Sequence, residues 1–313
     1  MRQIHDQPLF ARLIDNNALH GTPGIAILFE SSIEERSLAH SSKQGAAAKA
    51  SLVEIDSSLG SRLGTKTPTS QVLSLRKKSE LAGFLSQFQN VPTYIDITGM
   101  PHDTWAPLTK VALELALDLK IIYFEPDSYK ESDAPREGEI FDLSEKIEGI
   151  RPIPQFSTLT EDDGTGSIFV PLLGFEGSRF AYVNEQVQPN QSLIYPIIGC
   201  PGFKPEYTFY SYLGNAATLE QTGAYANVRH AKSNCPFSLA YTVREIAAKY
   251  PGYRIKIGMM GTKPHALGAV LFAISHPDTV ELVYDQAKRK TNRTAGTGIC
   301  HVYDVSDFML TFS

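Results

Sequence analysis

Arg254–Asp285, RIKIGMMGTKPHALGAVLFAISHPDTVELVYD, reads as strand, tight glycine turn, helix and strand. The turn is Gly258-Met259-Met260-Gly261-Thr262-Lys263. Pro264 suits the first helical position, where a missing N–H costs nothing and the ring fixes a helical φ. Thr262 or Lys263 therefore stands at the helix start. Backbone N–H groups there point out of the helix, and the aligned peptide dipoles place about half a positive charge at that end. Lys263 adds a full charge beside it. A strand, a glycine turn and a helix N-terminus with a lysine make a site for an anion, most often a phosphate. The plainer reading is a turn that only brings strand and helix together.

Working outward, the same alternation recurs. Gly24–Glu30 is a continuous apolar run, as expected of a strand covered on both faces. Ser31-Ser32-Ile33-Glu34-Glu35-Arg36 follows, and a serine there can cap a helix running to about Lys49. Leu52–Ile55 is a second strand, Gly60–Ser70 a Gly/Ser/Thr/Pro loop, and Arg76–Phe88 a helix. Val91–Thr98 is a third strand. Asp103 or Thr104 then caps a helix to Leu117, and Leu119–Phe124 is a fourth strand. Residues 126–165 carry charge, Gly and Pro without a sustained period. Ser167–Leu173, Leu193–Ile198 and the closing CHVYDVSDFMLTFS read as strands, and 213–225 and Ser238–Lys249 as helices.

Strands alternating with helices predict an α/β protein with a mostly parallel, doubly wound, Rossmann-like sheet and an inserted β-containing region. The expected division is residues 1–125 as a first Rossmann-like half, 126–210 as the insertion or connection, and 211–313 as a second α/β half carrying the Gly-Thr-Lys turn.

Composition narrows the class. A chain of 313 residues, 42% hydrophobic and 20% charged, can bury a core without disulfides or metals. The net charge of −5 argues against general nucleic-acid binding. Three widely spaced cysteines, Cys200, Cys235 and Cys300, suit free thiols in a reducing compartment. No run approaches the ~18 apolar residues of a membrane span, and the N-terminus does not read as a signal peptide. A cytoplasmic protein without cofactor is the expectation.

In doubly wound sheets ligands bind beyond the carboxyl ends of the strands. Four segments are expected at that edge. After the first strand come Glu30, Ser31, Ser32 and Glu34. After the third come Asp96, Thr98, Gly99 and His102. The others are Gly174-Phe175-Glu176-Gly177-Ser178-Arg179 and Gly261-Thr262-Lys263. Ser31, Ser32, Thr98, Gly99, Arg179, Gly261, Thr262 and Lys263 are the candidate ligand residues, with Arg179 able to clamp a phosphate or simply to pair with Glu176. Glu30, Asp96 and His102 are the acid/base candidates. The scaffold reading of Asp96 is the stronger, because a strand carboxylate needs a partner. His102 and His265 flank helix starts, where a solvated histidine is the plainer alternative to a general base. Cys200 has no nearby base to mark a nucleophile. No GxGxxG, Walker, GxSxG, HExxH or EF-hand pattern occurs, and no metal site is expected.

The segment IGMMGTKPHALGAVLFA resembles the Gly-Thr-Lys turn of CARF-type Rossmann sensors, which serve prokaryotic defence systems and bind cyclic oligonucleotides or related nucleotide signals. The resemblance covers roughly 30 residues closely. It implies that Thr262 and Lys263 contact ligand phosphate while Ser31 and Ser32 approach from a facing loop. It also implies a separate effector, as a protein partner or a homo-oligomer, since no nuclease domain is evident. Met260 departs from the sensor pattern, which usually has glycine there. The rival readings are an enzyme acting on a nucleotide or nucleoside, of glycosidase or ring-nuclease type, and a structural scaffold subunit.

Overall fold

The computed structural model describes residues 10–14, 19–31, 34, 36–37, 50–66, 70–136, 138–156 and 166–312. The first strands are β1 (Ala11–Ile14), β2 (Ala26–Phe29), β3 (Ser51–Asp56), β4 (Arg62–Thr65), β5 (Gln71–Ser74), β6 (Thr93–Asp96) and β7 (Leu119–Phe124). Four short strands follow, β8 (Ser128–Tyr129), β9 (Glu131–Arg136), β10 (Glu139–Phe141) and β11 (Ser144–Ile147). Then come β12 (Ser167–Leu173), β13 (Ile197–Gly199), β14 (Arg229–Ala231), β15 (Arg254–Met259) and β16 (Val280–Val283). The last are β17 (Ala287–Arg289), β18 (Thr294–Ala295) and β19 (Cys300–Asp304). The described helices are α1 (Lys78–Leu85), α2 (His102–Glu114), α3 (Gly177–Val187), α4 (Tyr207–Thr222), α5 (Pro236–Ala247), α6 (Lys263–Ser275) and α7 (Val305–Phe312).

The chain forms two compact units. One is Ser128–Ala295; the other joins the described residues up to Asp127 with those from Gly296 on. This division differs from the three expected segments. Strands β12 and β13, expected in a connection, belong to the same sheet as β15. The physical reason lies in Ile168–Leu173, a run buried throughout, which needs a neighbour on each side.

The N-terminal unit holds an eight-stranded sheet in the order β1-β19-β7-β6-β2-β3-β4-β5. Its centre, β7-β6-β2-β3, is parallel, and antiparallel strands flank it. Every residue of Ala26–Phe29 is buried, and Ile27, Phe29, Ile122, Phe124 and Val302 pack as one cluster. Two expectations fail here. The Gly60–Ser70 segment supplies β4, which pairs with β5 through Leu63 opposite Leu73, because Leu63 finds a buried seat despite its polar neighbours. The C-terminal stretch is a strand only to Asp304. Val305, Phe308 and Phe312 then recur at helical spacing and are buried as α7. The Ser306 hydroxyl secures the junction, accepting from the Leu119 N–H at 2.7 Å and donating to the Leu117 carbonyl at 2.9 Å.

The Ser128–Ala295 unit holds a five-stranded, wholly parallel sheet in the order β14-β13-β12-β15-β16. The chain builds outward from β12 through β13 to β14, then returns to the other side of β12 with β15 and β16. Its direction thus reverses between β12 and β15. Phe169, Leu173, Phe180, Val183, Ile198 and Leu219 form a core cluster. Residues 128–156, where the sequence shows no sustained period within the expected β-containing region, contribute the β9–β10 hairpin and the β11–β17 pair. The protein is thus mixed α/β with mostly parallel central strands, and no described helix is long and apolar enough to cross a membrane.

Candidate functional site

Each unit has a point where its strand order reverses, and in parallel sheets ligands bind beyond the strands' carboxyl ends at such points. In the Ser128–Ala295 unit the crevice lies between the turns after β12 and β15. These turns press together: a Cβ on Gly174 would stand 2.7 Å from the Met260 carbonyl oxygen, so only glycine fits. Helices α3, α4, α5 and α6 each follow a strand of this sheet, which gathers their N-termini at the same edge.

The resulting cleft is open to solvent and has a cavity volume of about 90 Å³. Gly174, Gly199, Ser233, Gly261 and Thr262 line its polar side; Tyr129, Phe175, Phe203 and Tyr207 line its aromatic side. Phe175 is set by a stacked contact with Phe141 at 4.4 Å and an edge contact with Tyr207 at 5.3 Å. Arg293 adds a cation to the lining.

Thr262 is the N-cap of α6: its hydroxyl accepts from the His265 N–H at 3.3 Å and donates to the Ser233 carbonyl at 2.7 Å. It thereby ties the turn after β15 to the turn after β14. Lys263, not Pro264, is the first helical residue, and it lies buried outside the cleft lining. His265 is fully buried rather than solvated, with Nε2 3.0 Å from the Lys232 carbonyl. Burial lowers its pKa to about 4, although the Lys232 carbonyl works the other way.

Glu176 and Arg179 both have internal partners. Glu176 accepts from the Leu143 and Ser144 N–H groups, each at 2.8 Å, and from the Ser144 hydroxyl at 2.7 Å. Arg179 makes a two-pronged pair with Asp285, Nε to Oδ2 at 2.6 Å and Nη2 to Oδ1 at 2.7 Å. Burial works against the Arg179 charge, and the Asp285 carboxylate more than offsets it, so its pKa lies above the ordinary value. The bidentate face that a phosphate would need is filled by Asp285. Cys200 is exposed, and Cys235 caps α5 by accepting from the Ser238 N–H at 3.3 Å.

In the N-terminal unit the reversal lies between β2 and β6. Here the structure brings Glu30, Ser31, Asp96, Thr98 and Gly99 to one edge. A Cβ on Gly99 would meet the Glu30 carbonyl oxygen at 2.3 Å. The polar groups are turned to the protein. Glu30 accepts from the Ser57 hydroxyl at 2.7 Å, and Ser31 donates to Glu54 at 2.7 Å. Asp96 accepts from the Thr98 N–H at 2.8 Å, in keeping with a scaffold role, and the Thr98 hydroxyl accepts from the Phe124 N–H at 3.0 Å. His102 begins α2, is buried, and accepts from the Trp105 indole at 3.2 Å; neither Asp103 nor Thr104 is the cap, since Pro101 holds that position. Ser32 and the helix expected to reach Lys49 lie outside the described residues.

Two features of this edge escaped sequence reading. Glu125, just past β7, contacts His301 of β19 at 2.6 Å, with both residues buried. Arg36 pairs with Glu34 at 3.2 Å and donates to the Phe124 carbonyl. The Tyr123 hydroxyl beside them has its pKa raised by burial, against the opposing pull of Arg36. The lining contributed by Ser233 was legible in principle, since Ser233-Asn234-Cys235-Pro236 is a helix-start pattern. Among the described residues no cluster of His, Cys, Asp or Glu is arranged to hold a metal ion. Comparison with known proteins returned no matching family model and no similar curated protein.

Proposed function

We propose that this chain is a Rossmann-like protein that binds a nucleotide-like ligand in the Ser128–Ala295 cleft and reports its occupancy to a protein partner. The observation that carries the reading is the pairing of two surfaces in one cleft. Close-packed glycine turns and gathered helix N-termini suit a phosphate, and the Tyr129, Phe203 and Tyr207 rings beside them suit a planar base. The mechanism is a population shift: the ligand stabilises one arrangement of the loops around Gly174 and Gly261, and the partner reads it. The likeness of Gly261-Thr262-Lys263 to CARF-type turns extends the reading to a cytoplasmic subunit of a prokaryotic antiviral defence assembly.

A second reading draws on the buried carboxylates Glu30 and Asp96 of the N-terminal edge. Together with His102 they would serve a hydrolase acting on a nucleotide or nucleoside. Calorimetric titration with mono-, di- and cyclic nucleotides, paired with product analysis, separates the two. Binding without turnover, weakened roughly tenfold or more by Phe203→Ala, supports the sensor, since one base–aromatic stack is worth about 1–3 kcal/mol. Turnover abolished by Glu30→Gln with binding intact supports the hydrolase. Absence of both in the native protein leaves a scaffold subunit and overturns the nucleotide reading.

A further inference from the structure

Ser211, Ser233 and Thr262 bring aliphatic hydroxyls to the lining of the Ser128–Ala295 cleft, and two of them are satisfied within the protein. Ser211 donates to the Tyr207 carbonyl at 3.1 Å. Thr262 donates to the Ser233 carbonyl at 2.7 Å and accepts from the His265 N–H at 3.3 Å. Ser233 differs. Its backbone is fully engaged, with the N–H donating to the Pro201 carbonyl at 3.1 Å and the carbonyl accepting from Thr262. Its side chain is not: the residue is only 5% exposed, yet its hydroxyl makes no hydrogen bond to any described residue. A buried hydroxyl without a partner costs free energy, and each one in a native structure calls for a reason. Here the side chain lies on the wall of the cleft, where an incoming atom can supply the missing bond.

The surroundings identify that atom. Ser233 stands two residues before Cys235, the N-cap of α5, and its carbonyl is bonded to Thr262, the N-cap of α6. The hydroxyl thus belongs to a residue fastened to two helix starts, and the positive ends of both helix dipoles favour an anion. Arg293 adds positive charge to the same lining, and the lining acid, Glu176, is occupied by Leu143 and Ser144. Arg179 is engaged by Asp285, and Lys263 lies outside the lining, so neither takes the anion in place of the hydroxyl. A phosphate oxygen accepts strongly from such a donor. Gly199, the last residue of β13, makes the room: a methyl there would have to turn the Ser233 hydroxyl aside.

We propose that the Ser233 hydroxyl is a ligand-binding group that donates to a phosphate oxygen in the cleft, with Gly199 leaving it space. This assignment rests on the nucleotide reading and names a contact within it, on the turn after β14. A hydroxyl that served only the fold would be bonded within it. One kept for a ligand makes the empty protein no more stable than alanine would, and its contribution appears on binding.

Calorimetric titration of the full chain tests it with AMP, ADP and cyclic AMP, their guanosine counterparts, the two nucleosides and inorganic phosphate. Ser233→Ala should weaken the nucleotides roughly ten- to a hundredfold, as expected for a lost hydrogen bond to a charged group, and leave the nucleosides unchanged. The guanidinium midpoint of the empty variant should equal or exceed that of the native chain. Gly199→Ala should weaken the nucleotides as much, and combining the two changes should add nothing further. Nucleotide binding left intact by Ser233→Ala, an equal loss for nucleotides and nucleosides, additive losses in the double variant, or a lowered midpoint overturns the assignment while the nucleotide reading stands. Should the native chain bind phosphate but no nucleotide, and Ser233→Ala bind neither, the contact holds and the nucleotide reading falls. Binding of neither by the native chain overturns both.

Discussion

The two strand-reversal edges share a topology and differ in chemistry. At the N-terminal edge, Glu30, Glu34, Asp96 and Glu125 are buried against Arg36, His301 and a set of hydroxyls that point back into the protein. At the edge of the Ser128–Ala295 unit, the cleft is lined by glycine backbone, Ser211, Ser233, Thr262 and aromatic rings together with Glu176 and Arg293, and the Arg179–Asp285 ion pair joins protein to protein. Identical placement on a sheet therefore does not imply an identical ligand. An edge lined with carboxylates disfavours anions by Coulomb repulsion, whereas helix N-termini attract them, which is why the phosphate of the proposed ligand is assigned to the second edge.

The sharpest way to break this comparison is to remove the pair that holds the second edge. Asp285→Ala leaves the Arg179 guanidinium buried without its carboxylate and should cost about 3–5 kcal/mol, read as a lowered denaturant midpoint. A loss under ~1 kcal/mol would show that the pair is not structural and return Arg179 to the list of ligand groups. Acid comes next. In the folded chain His265 stays neutral down to about pH 4, whereas in the unfolded chain it takes its proton near its ordinary value. Stability is therefore retained above about pH 6.5 and lost as the pH falls from there toward 4, by roughly 3 kcal/mol in all. Guanidinium titrations of the native chain and His265→Gln across that range should diverge in slope; parallel curves would mean the imidazole is not sealed from water.

Close backbone approach can be probed on both edges at once. Gly99→Ala and Gly174→Ala each push a methyl into a carbonyl oxygen, and each should cost about 1–3 kcal/mol in thermal melts. A cost confined to one of them would show that only that crevice is tightly closed. The smallest effect is one of labelling. Cys200 is exposed and should react first with a thiol reagent. Cys300 is buried, its thiol pushed up to about 12 by burial and by the nearby Asp96, and should react only on unfolding. Early modification of Cys300 would mean the N-terminal edge opens under native conditions.

Much of the fold was readable in the sequence because its signals are local. Apolar runs such as Ala26–Phe29 and Leu119–Phe124 announce doubly covered strands, and Thr262-Lys263-Pro264 announces a helix start. The failures were local ambiguities of period. Cys300–Phe312 is apolar enough to pass for one strand, and only the spacing of Val305, Phe308 and Phe312 reveals the helix. The sites were less legible because their groups find partners far along the chain. Arg179 and Asp285 lie 106 positions apart, and Glu125 and His301 lie 176 apart. No spacing rule connects such residues, so Arg179 read as a phosphate clamp or a partner of Glu176, and His301 drew no notice. The four glycine and serine turns could be identified, but not which pair would share a crevice, since that follows from strand order.

Asn215 acts as a rivet between two surfaces. One amide group bonds both to its own helix and to the Gly174 carbonyl at the floor of the cleft, and beside it Gly214 and Phe175 meet so closely that a Cβ on Gly214 would lie 2.0 Å from the Phe175 oxygen. The helix and the turn are therefore packed and hydrogen-bonded as one piece, with no room between them for a larger side chain at position 214.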